Sequence, residues 1–278
     1  MVNMKLAACY NTWGDWDLLT ASINNILPVV DMVIVVHSSK SNYGEVDAGP
    51  YQWVDDPKVY YEQYEPPLHV ALHSETAKRN HSLELARLAG ATHYISMDAD
   101  EFYDQEQFKQ ERQKFEENDY LAGLVCKTRV YFSRPDLSIG IDTTLAPFIH
   151  KITPTLKHEF NRKYPFAWEG LNIRIDPTRS FNITSGVEMS PIVMEHFSWV
   201  RKDEEAYKGK IRNSTAKAHL ERSNILQDLA NAKEGYFCEF YGKPLVRVPN
   251  RFNIPFYGVL DENLQPLAPA DPQNGADI

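Results

Sequence analysis

Roughly the first 100 residues repeat one arrangement: a short apolar run, a polar loop, then apolar positions at helical spacing. Residues 5–10 predict a strand that stops in the polar loop Asn11-Thr12-Trp13-Gly14-Asp15. Asp15 is placed to cap a helix in which Leu19, Ile23 and Ile26 recur at i, i+4 and i+7. Residues 32–36 are almost wholly apolar, as in a parallel strand covered on both faces, and end at His37-Ser38-Ser39. A polar excursion through Gly44, Gly49, Pro50, Asp55, Asp56 and Pro57 leads to a weaker strand at 59–61. Residues 75–89 predict a helix with Leu85, Leu88 and Ala89 on its inner face and Gly90 as a left-handed C-cap, followed by a strand at 93–97.

Further along, 105–118 reads as a charge-rich helix burying Phe108, Arg112 and Phe115, and 120–132 as a strand. Beyond Pro135 the pattern blurs into short strand candidates at 148–152, 172–175 and 192–196, then helices at 204–212 and 217–229. Prolines recur from Pro244, and 264–278 reads as a tail. Strands alternating with helices predict an α/β fold: a mostly parallel, Rossmann-like central sheet flanked by helices, plus C-terminal helices. The expected layout is one domain over 1–243, a ligand-binding half (1–133) and a second half (134–243), with 244–278 as an extension. Ligands of such sheets bind beyond the carboxyl ends of the strands, where Asn11, Ser38 and Asp98 are expected to meet.

Composition narrows the functional classes. A chain of 278 residues, 43% hydrophobic and 24% charged, is ordinary for a globular protein, and a formal charge of −9 supplies no bulk attraction for nucleic acid or anionic membrane. No apolar run approaches the ~20 residues of a membrane span. The first ten residues run too soon into Asn11, Asp15 and Asp17 for a secretory signal. Cys9, Cys126 and Cys238 lack paired spacing and read as reduced thiols, so a cytoplasmic location is expected.

The chemistry concentrates in Tyr94-Ile95-Ser96-Met97-Asp98-Ala99-Asp100-Glu101-Phe102. Asp98 and Asp100 are two apart, so an extended backbone sends both carboxylates to one side as the strand gives way to a loop. Crowded carboxylates need a cation between them, and hard oxygen ligands suit Mg²⁺ or Mn²⁺; the alternative is a solvated acidic loop. Phe102 stands where a haloacid-dehalogenase-type phosphatase carries Thr or Val, and with Tyr103 it breaks an EF-hand loop. Gly14 alone does not make the Gly-rich loop of a nucleotidyltransferase.

The order of the Asn11 loop, Glu75-Thr76-Ala77-Lys78-Arg79-Asn80, the Asp-x-Asp segment at 94–101 and Met194-Glu195-His196-Phe197-Ser198-Trp199-Val200-Arg201 resembles GT-A-fold glycosyltransferases of the family-two-like group. The resemblance covers residues 4–212. It implies a metal-dependent transfer of a sugar from a nucleotide-diphosphate sugar, taken as a UDP-sugar, to a hydroxyl of a saccharide or other small acceptor. By the same resemblance Asp100 is a catalytic residue and direct metal ligand, Asp98 binds the ribose, the metal or both, and His196 is a third ligand to Mn²⁺ or Mg²⁺ or else a core histidine. Arg79 and Asn80 would contact the donor or hold the acidic cluster, unless Lys78 and Arg79 are only a solvated helix face. Tyr10 and Asn11 would meet the nucleobase, Ser38 would take a similar part, and Lys210 and Arg212 would reach the diphosphate unless they are only a basic helix end.

An inverting transferase needs a base opposite the donor. Glu169 between Trp168 and Gly170 is the candidate, Asp142 and Asp203 are rivals, and a retaining enzyme needs none. Two alternatives stay open. One is transfer to a hydroxylated base in DNA, which the basic residues Lys151, Lys157, Arg162, Lys163, Arg174 and Arg179 would serve if clustered. The other is a catalytically silent sugar-binding module.

Overall fold

The computed structural model describes residues 4–14, 16–47, 49, 51–66, 70–161, 164, 174–214 and 216–256. In chain order the elements are β1 (Leu6–Thr12), α1 (Trp16–Ile26), β2 (Met32–His37), β3 (Val59–Gln63), α2 (Ala71–Leu88), β4 (His93–Met97), β5 (Glu101–Phe102), α3 (Gln105–Glu116), β6 (Gly123–Phe132), β7 (Arg134–Lys151), β8 (Arg174–Ile175), β9 (Val187–Trp199), α4 (Glu204–Asn213), α5 (Lys217–Leu220), α6 (Ile225–Ala230), β10 (Phe237–Cys238), β11 (Lys243–Pro244) and β12 (Val246–Arg247). The segment expected to blur beyond Pro135 is one long strand, β7, bent where Gly140 takes a φ of 77°.

The chain divides into two compact units: Met1–Thr128 with Asp142–Glu195, and Arg129–Ile141 with His196–Ile278. The boundaries therefore fall inside β6, β7 and β9, away from the expected division at 133/134. In the first unit the strand order is β3-β2-β1-β4-β7-β6-β9-β5, with β8 parallel to β7. Strands β3, β2, β1 and β4 run parallel, and β7 joins antiparallel to β4. This is the expected α/β architecture, a mixed sheet with a parallel half flanked by helices.

Period-two alternation divides the parallel strands between two cores. Leu6, Ala8 and Tyr10 of β1 pack with Val33 and Val35 and with Leu19, Ile23 and Ile26 of α1. Ala7 and Cys9 pack on the other face with Ile34 and Val36 and with Leu83 and Ala86 of α2. Helices α1 and α2 thus cover opposite faces, and the winding reverses between β1 and β4, the switch point of a doubly wound sheet.

Helix α2 starts earlier than expected and buries a different stripe. Its inward positions are Ser74, Lys78, Ser82 and Ala86 at spacing of four, with Arg79 and Leu83 beside them, whereas Leu88 is 77% exposed. Apolar periodicity misleads here because the buried stripe is largely polar. Its end is as expected: Gly90 has φ 75°, and the Ala91 N–H bonds the Ala86 carbonyl in a Schellman closure. Helix α3 takes Asp104 as its N-cap, which accepts from the Gln107 N–H at 3.0 Å, and buries Phe108 and Phe115.

The second unit has its own core of Val130, Phe132, Ile139, Trp199, Ile211, Leu220, Ile225, Leu229, Cys238 and Leu245. Buried Asp228 of α6 accepts from the Tyr236 hydroxyl and the Phe240 N–H, both at 2.9 Å. Residues 244–256, expected to begin a proline-rich extension, belong to this unit. Strand β12 pairs with β7 through Val246↔Ser138 and Arg247↔Leu137, and Leu245 and Ile254 are buried. All three cysteines are free and buried, and burial pushes Cys126 and Cys238 up to about 12. No helix among the described residues is long and apolar enough to cross a membrane.

Candidate functional site

The site lies in the first unit, at the carboxyl ends of β1, β2 and β4. The register pairs Asn11 with Val36 and Tyr10 with Met97. Continuing the alternation beyond Cys9, Val36 and Ser96 brings Asn11, Ser38 and Asp98 out on the α2 side. Two neighbouring cations of α2 confirm that side. Lys78 Nζ donates to Ser38 Oγ at 3.3 Å, and Arg79 Nη2 donates to Asp98 Oδ1 at 2.9 Å and Oδ2 at 3.3 Å. Asn11 stands between them in the row, its Oδ1 buried without a hydrogen-bond partner.

Arg79 is fully buried and organises the row from below. Besides Asp98 it reaches Ser96 Oγ at 2.8 Å and Glu75 Oε1 at 2.7 Å. Burial opposes its charge, but Asp98 and Glu75 outweigh burial and raise the guanidinium above its ordinary value. A second arginine arrives from a distant part of the chain. Arg179 ends a short turn, Pro177–Arg179, that Asp176 caps by accepting from the Thr178 N–H at 2.8 Å. It donates to both oxygens of buried Glu101, and its Nη1 lies 3.7 Å from Asp98 Oδ2. Glu101 Oε2 in turn accepts from the Asp98 N–H at 3.2 Å. The acidic segment is therefore clamped from both sides by the protein's own guanidinium groups.

Three of the expected site residues converge as anticipated: Asn11, Ser38 and Asp98. Asp100 lies on the same turn after β4 and is 4% exposed. Arg79 takes the second of its two expected roles, holding the acidic cluster. The solvated-face reading of Lys78 and Arg79 fails, because both are buried.

Tyr10 is corrected. Its ring is wholly buried on the α1 side with its hydroxyl 2.8 Å from Ser22 Oγ, so it offers no face to a base. Asn80 is corrected too: its amide bonds the carbonyl of His158 at 2.9 Å and the N–H of His158 at 2.7 Å, which makes it a clamp on that segment. Asp203 caps α4 through the Ala206 N–H, and Asp142 accepts from the Thr144 hydroxyl, so both rivals to Glu169 have structural work. Arg212 pairs with Glu205 on the second unit. His196 falls in β9, also on the second unit. Glu169 and Trp168 lie outside the described residues, as do Arg162 and Lys163 of the basic set. Arg179 of that set is 5% exposed and committed to Glu101.

Sequence reasoning missed Glu75, Glu101 and Arg179 as partners in this network. Asp-Pro-Thr-Arg at 176–179 signals a capped turn, but no local pattern says that its arginine meets residue 101. An aromatic group on the α1 side also escaped notice. The rings of Trp16, His37, Tyr51 and Trp53 lie with centroids 4.7–5.9 Å apart, and Tyr51 and Trp53 are 39% and 48% exposed. Trp16 Nε1 is fixed by Asp47 at 2.8 Å.

The acidic segment is not a divalent-cation cage built by the protein alone. Among the described residues no three His, Cys, Asp or Glu side chains group as an all-protein cage requires. Both oxygens of Asp98 carry the Arg79 guanidinium, which repels a second cation.

No family model matches the chain, and no curated protein matches it. Among solved structures, the crystal structure of S. aureus TarS 1–349 is 14% identical over 82% of this chain and 71% of that one, with a TM-score of 0.38. A longer S. aureus TarS structure is 14% identical over 82% of this chain, with a TM-score of 0.39, and is spanned over 43% of its length. A glycosyltransferase involved in glycosylation of the major capsid of PBCV-1 is 10% identical over 53% of this chain and 59% of that one, with a TM-score of 0.29.

Proposed function

We propose that the chain is a glycosyltransferase that transfers a sugar from a nucleotide-diphosphate sugar, a UDP-sugar, to a hydroxyl of a saccharide or other small acceptor. The observation that carries this reading is the row Ser38, Asn11 and Asp98 at the carboxyl ends of parallel strands beside the switch point, backed by Lys78 and Arg79. A doubly wound sheet receives nucleotide ligands there. Asp98, with a side chain 30% exposed, is oriented by Arg79 to accept from ribose hydroxyls. The departing nucleoside diphosphate needs its developing charge stabilised by an electrophile. A divalent cation held at Asp100 supplies that stabilisation when bound. The exposed faces of Tyr51 and Trp53 offer stacking surface to a ligand ring near the end of β2. Glu169 is kept as the proposed base.

Melting temperatures test the proposal against nucleoside diphosphates and their sugars, each with Mn²⁺, Mg²⁺ or EDTA. A ligand at ~100 times its Kd adds about 2.7 kcal/mol, a readily measured rise. One nucleotide sugar is expected to stabilise the chain with metal, to release its nucleoside diphosphate slowly in water, and to lose the metal-dependent part of the shift in Asp100→Ala. No shift with any nucleotide under any metal condition refutes the reading.

A further inference from the structure

Lys78 has no carboxylate at ion-pair distance among the described residues; Glu75, Glu65 and Asp98 act on it only from farther off. It is 3% exposed, and its hydrogen bond goes to the neutral Ser38 hydroxyl at 3.3 Å. The contrast with its neighbour is sharp: Arg79 has carboxylates at 2.7 and 2.9 Å. An ammonium withdrawn from water is costly unless an anion meets it, and burial accordingly lowers the Lys78 pKa. The side chain spends that burial at the carboxyl end of β2, against Ser38. Beside it, Asn11 buries an amide whose oxygen has no partner. Rotation of that amide by half a turn exchanges oxygen for N–H donors, so the same position serves an anion.

We propose that Lys78, Ser38 and Asn11 form an anion subsite that takes a phosphate group of the ligand. Under the transferase reading, on which this assignment of the ligand rests, that group belongs to the donor's diphosphate. A compact ammonium beside a hydroxyl and an amide is phosphate-binding chemistry, with Lys as the point charge and the neutral groups as orienting donors. The subsite acts without a metal ion, because its positive charge is the protein's own.

The test uses the full chain in EDTA, with inorganic pyrophosphate and uridine as separate probes, and the variants Lys78→Met and Ser38→Ala. Methionine keeps the length and packing of the stem and removes the charge. Pyrophosphate is expected to raise the melting temperature of the wild type, and Lys78→Met, unliganded, to melt no lower than the wild type. Its pyrophosphate affinity should fall by about tenfold or more, the effect of losing one charged hydrogen bond. Ser38→Ala leaves the ammonium in place and should weaken pyrophosphate by a few fold, so it decides the matter if Lys78→Met does not fold. Pyrophosphate that fails to bind the wild type, or that binds both variants as well as the wild type, overturns the subsite. So does a uridine shift lost in Lys78→Met while the pyrophosphate shift persists, since the ammonium then reads the base. Pyrophosphate bound through Lys78 with no nucleotide sugar recognised keeps the subsite and refutes the transferase. Nucleotide sugar bound equally by wild type and Lys78→Met does the reverse.

Discussion

Arg179 and Glu101, 78 positions apart, form a buried two-point ion pair in which Nη2 donates to Oε2 at 3.0 Å and Nη1 donates to Oε1. Arg179 also donates from Nη2 to the Ser96 carbonyl, so one side chain ties the end of β4 to the turn after it. Removing one partner strands the other charge away from water. Arg179→Met is expected to cost about 3–5 kcal/mol. Urea unfolding of the variant measures this, and a loss below ~1 kcal/mol, the range of a surface pair, contradicts the pair's assigned role.

His150 gives stability a specific pH dependence. Burial lowers its folded value from the ordinary 6.5 to about 3, and its Nε2 meets the Tyr164 hydroxyl at 2.6 Å. The unfolded chain therefore binds the extra proton from about pH 6.5 downward, while the folded chain does not. This contribution destabilises the protein progressively as pH falls from about 6.5 to about 3. His150→Phe removes it, so the stability deficit of that variant relative to wild type should shrink as pH is lowered from neutral to about 5. Paired urea midpoints at the two pH values check it; a deficit that is constant or grows on acidification contradicts the assignment.

Asn80 makes opposite demands on sequence and structure. The family resemblance implies donor contact, whereas the amide bonds the N–H and carbonyl of His158. Asn80→Ala leaves those backbone groups without their partner and should cost about 1–3 kcal/mol. Nucleotide affinity, measured well below the melting temperature, should stay within a few fold of wild type. A large affinity loss with unchanged stability would restore the donor-contact role.

Residues 244–256 should be indispensable to the second unit. They bury Leu245 and Ile254, and Arg247 Nη1 reaches Asp136 Oδ2 at 3.2 Å, where Arg134 already donates at 3.0 Å. Leu245→Ala is expected to cost about 2–5 kcal/mol, the usual range for a buried leucine. Thermal unfolding measures it. A variant melting like wild type would mean that this segment adds nothing to the core.

Most of the fold was legible where one local rule decided the outcome. The near-continuous apolar runs of β1, β2 and β4 mark buried parallel strands, and Gly90 marks a helix end, because burial and backbone sterics act over a few residues. Strand direction was also enough to bring Asn11, Ser38 and Asp98 together at the carboxyl ends, whereas the extended spacing expected of Asp98 and Asp100 is replaced by a turn at Ala99 and Asp100 after β4 ends at Met97. Reading failed where a buried position was filled by a polar side chain. Ser74, Lys78, Arg79 and Ser82 look like solvent-facing residues until their partners are known, and apolar periodicity puts Leu88 inward in their place. Tyr10 failed for a related reason: a tyrosine at a strand end serves a core or a ligand equally well by type.

The sequence alone determined the parallel strands β1, β2 and β4, the end of α2 and the carboxyl-end location of the acidic segment, because strand period, helix caps and strand direction are properties of contiguous residues. Tertiary structure alone decided the charge partners within that segment. Glu75 and Arg179 meet Asp98 and Glu101 only after a helix and a distant turn have packed on the sheet, and the free energy of a buried charge depends on what stands within a few ångströms of it. That proximity also distinguishes Lys78, which has no carboxylate at ion-pair distance among the described residues, from Arg79 beside it in the chain.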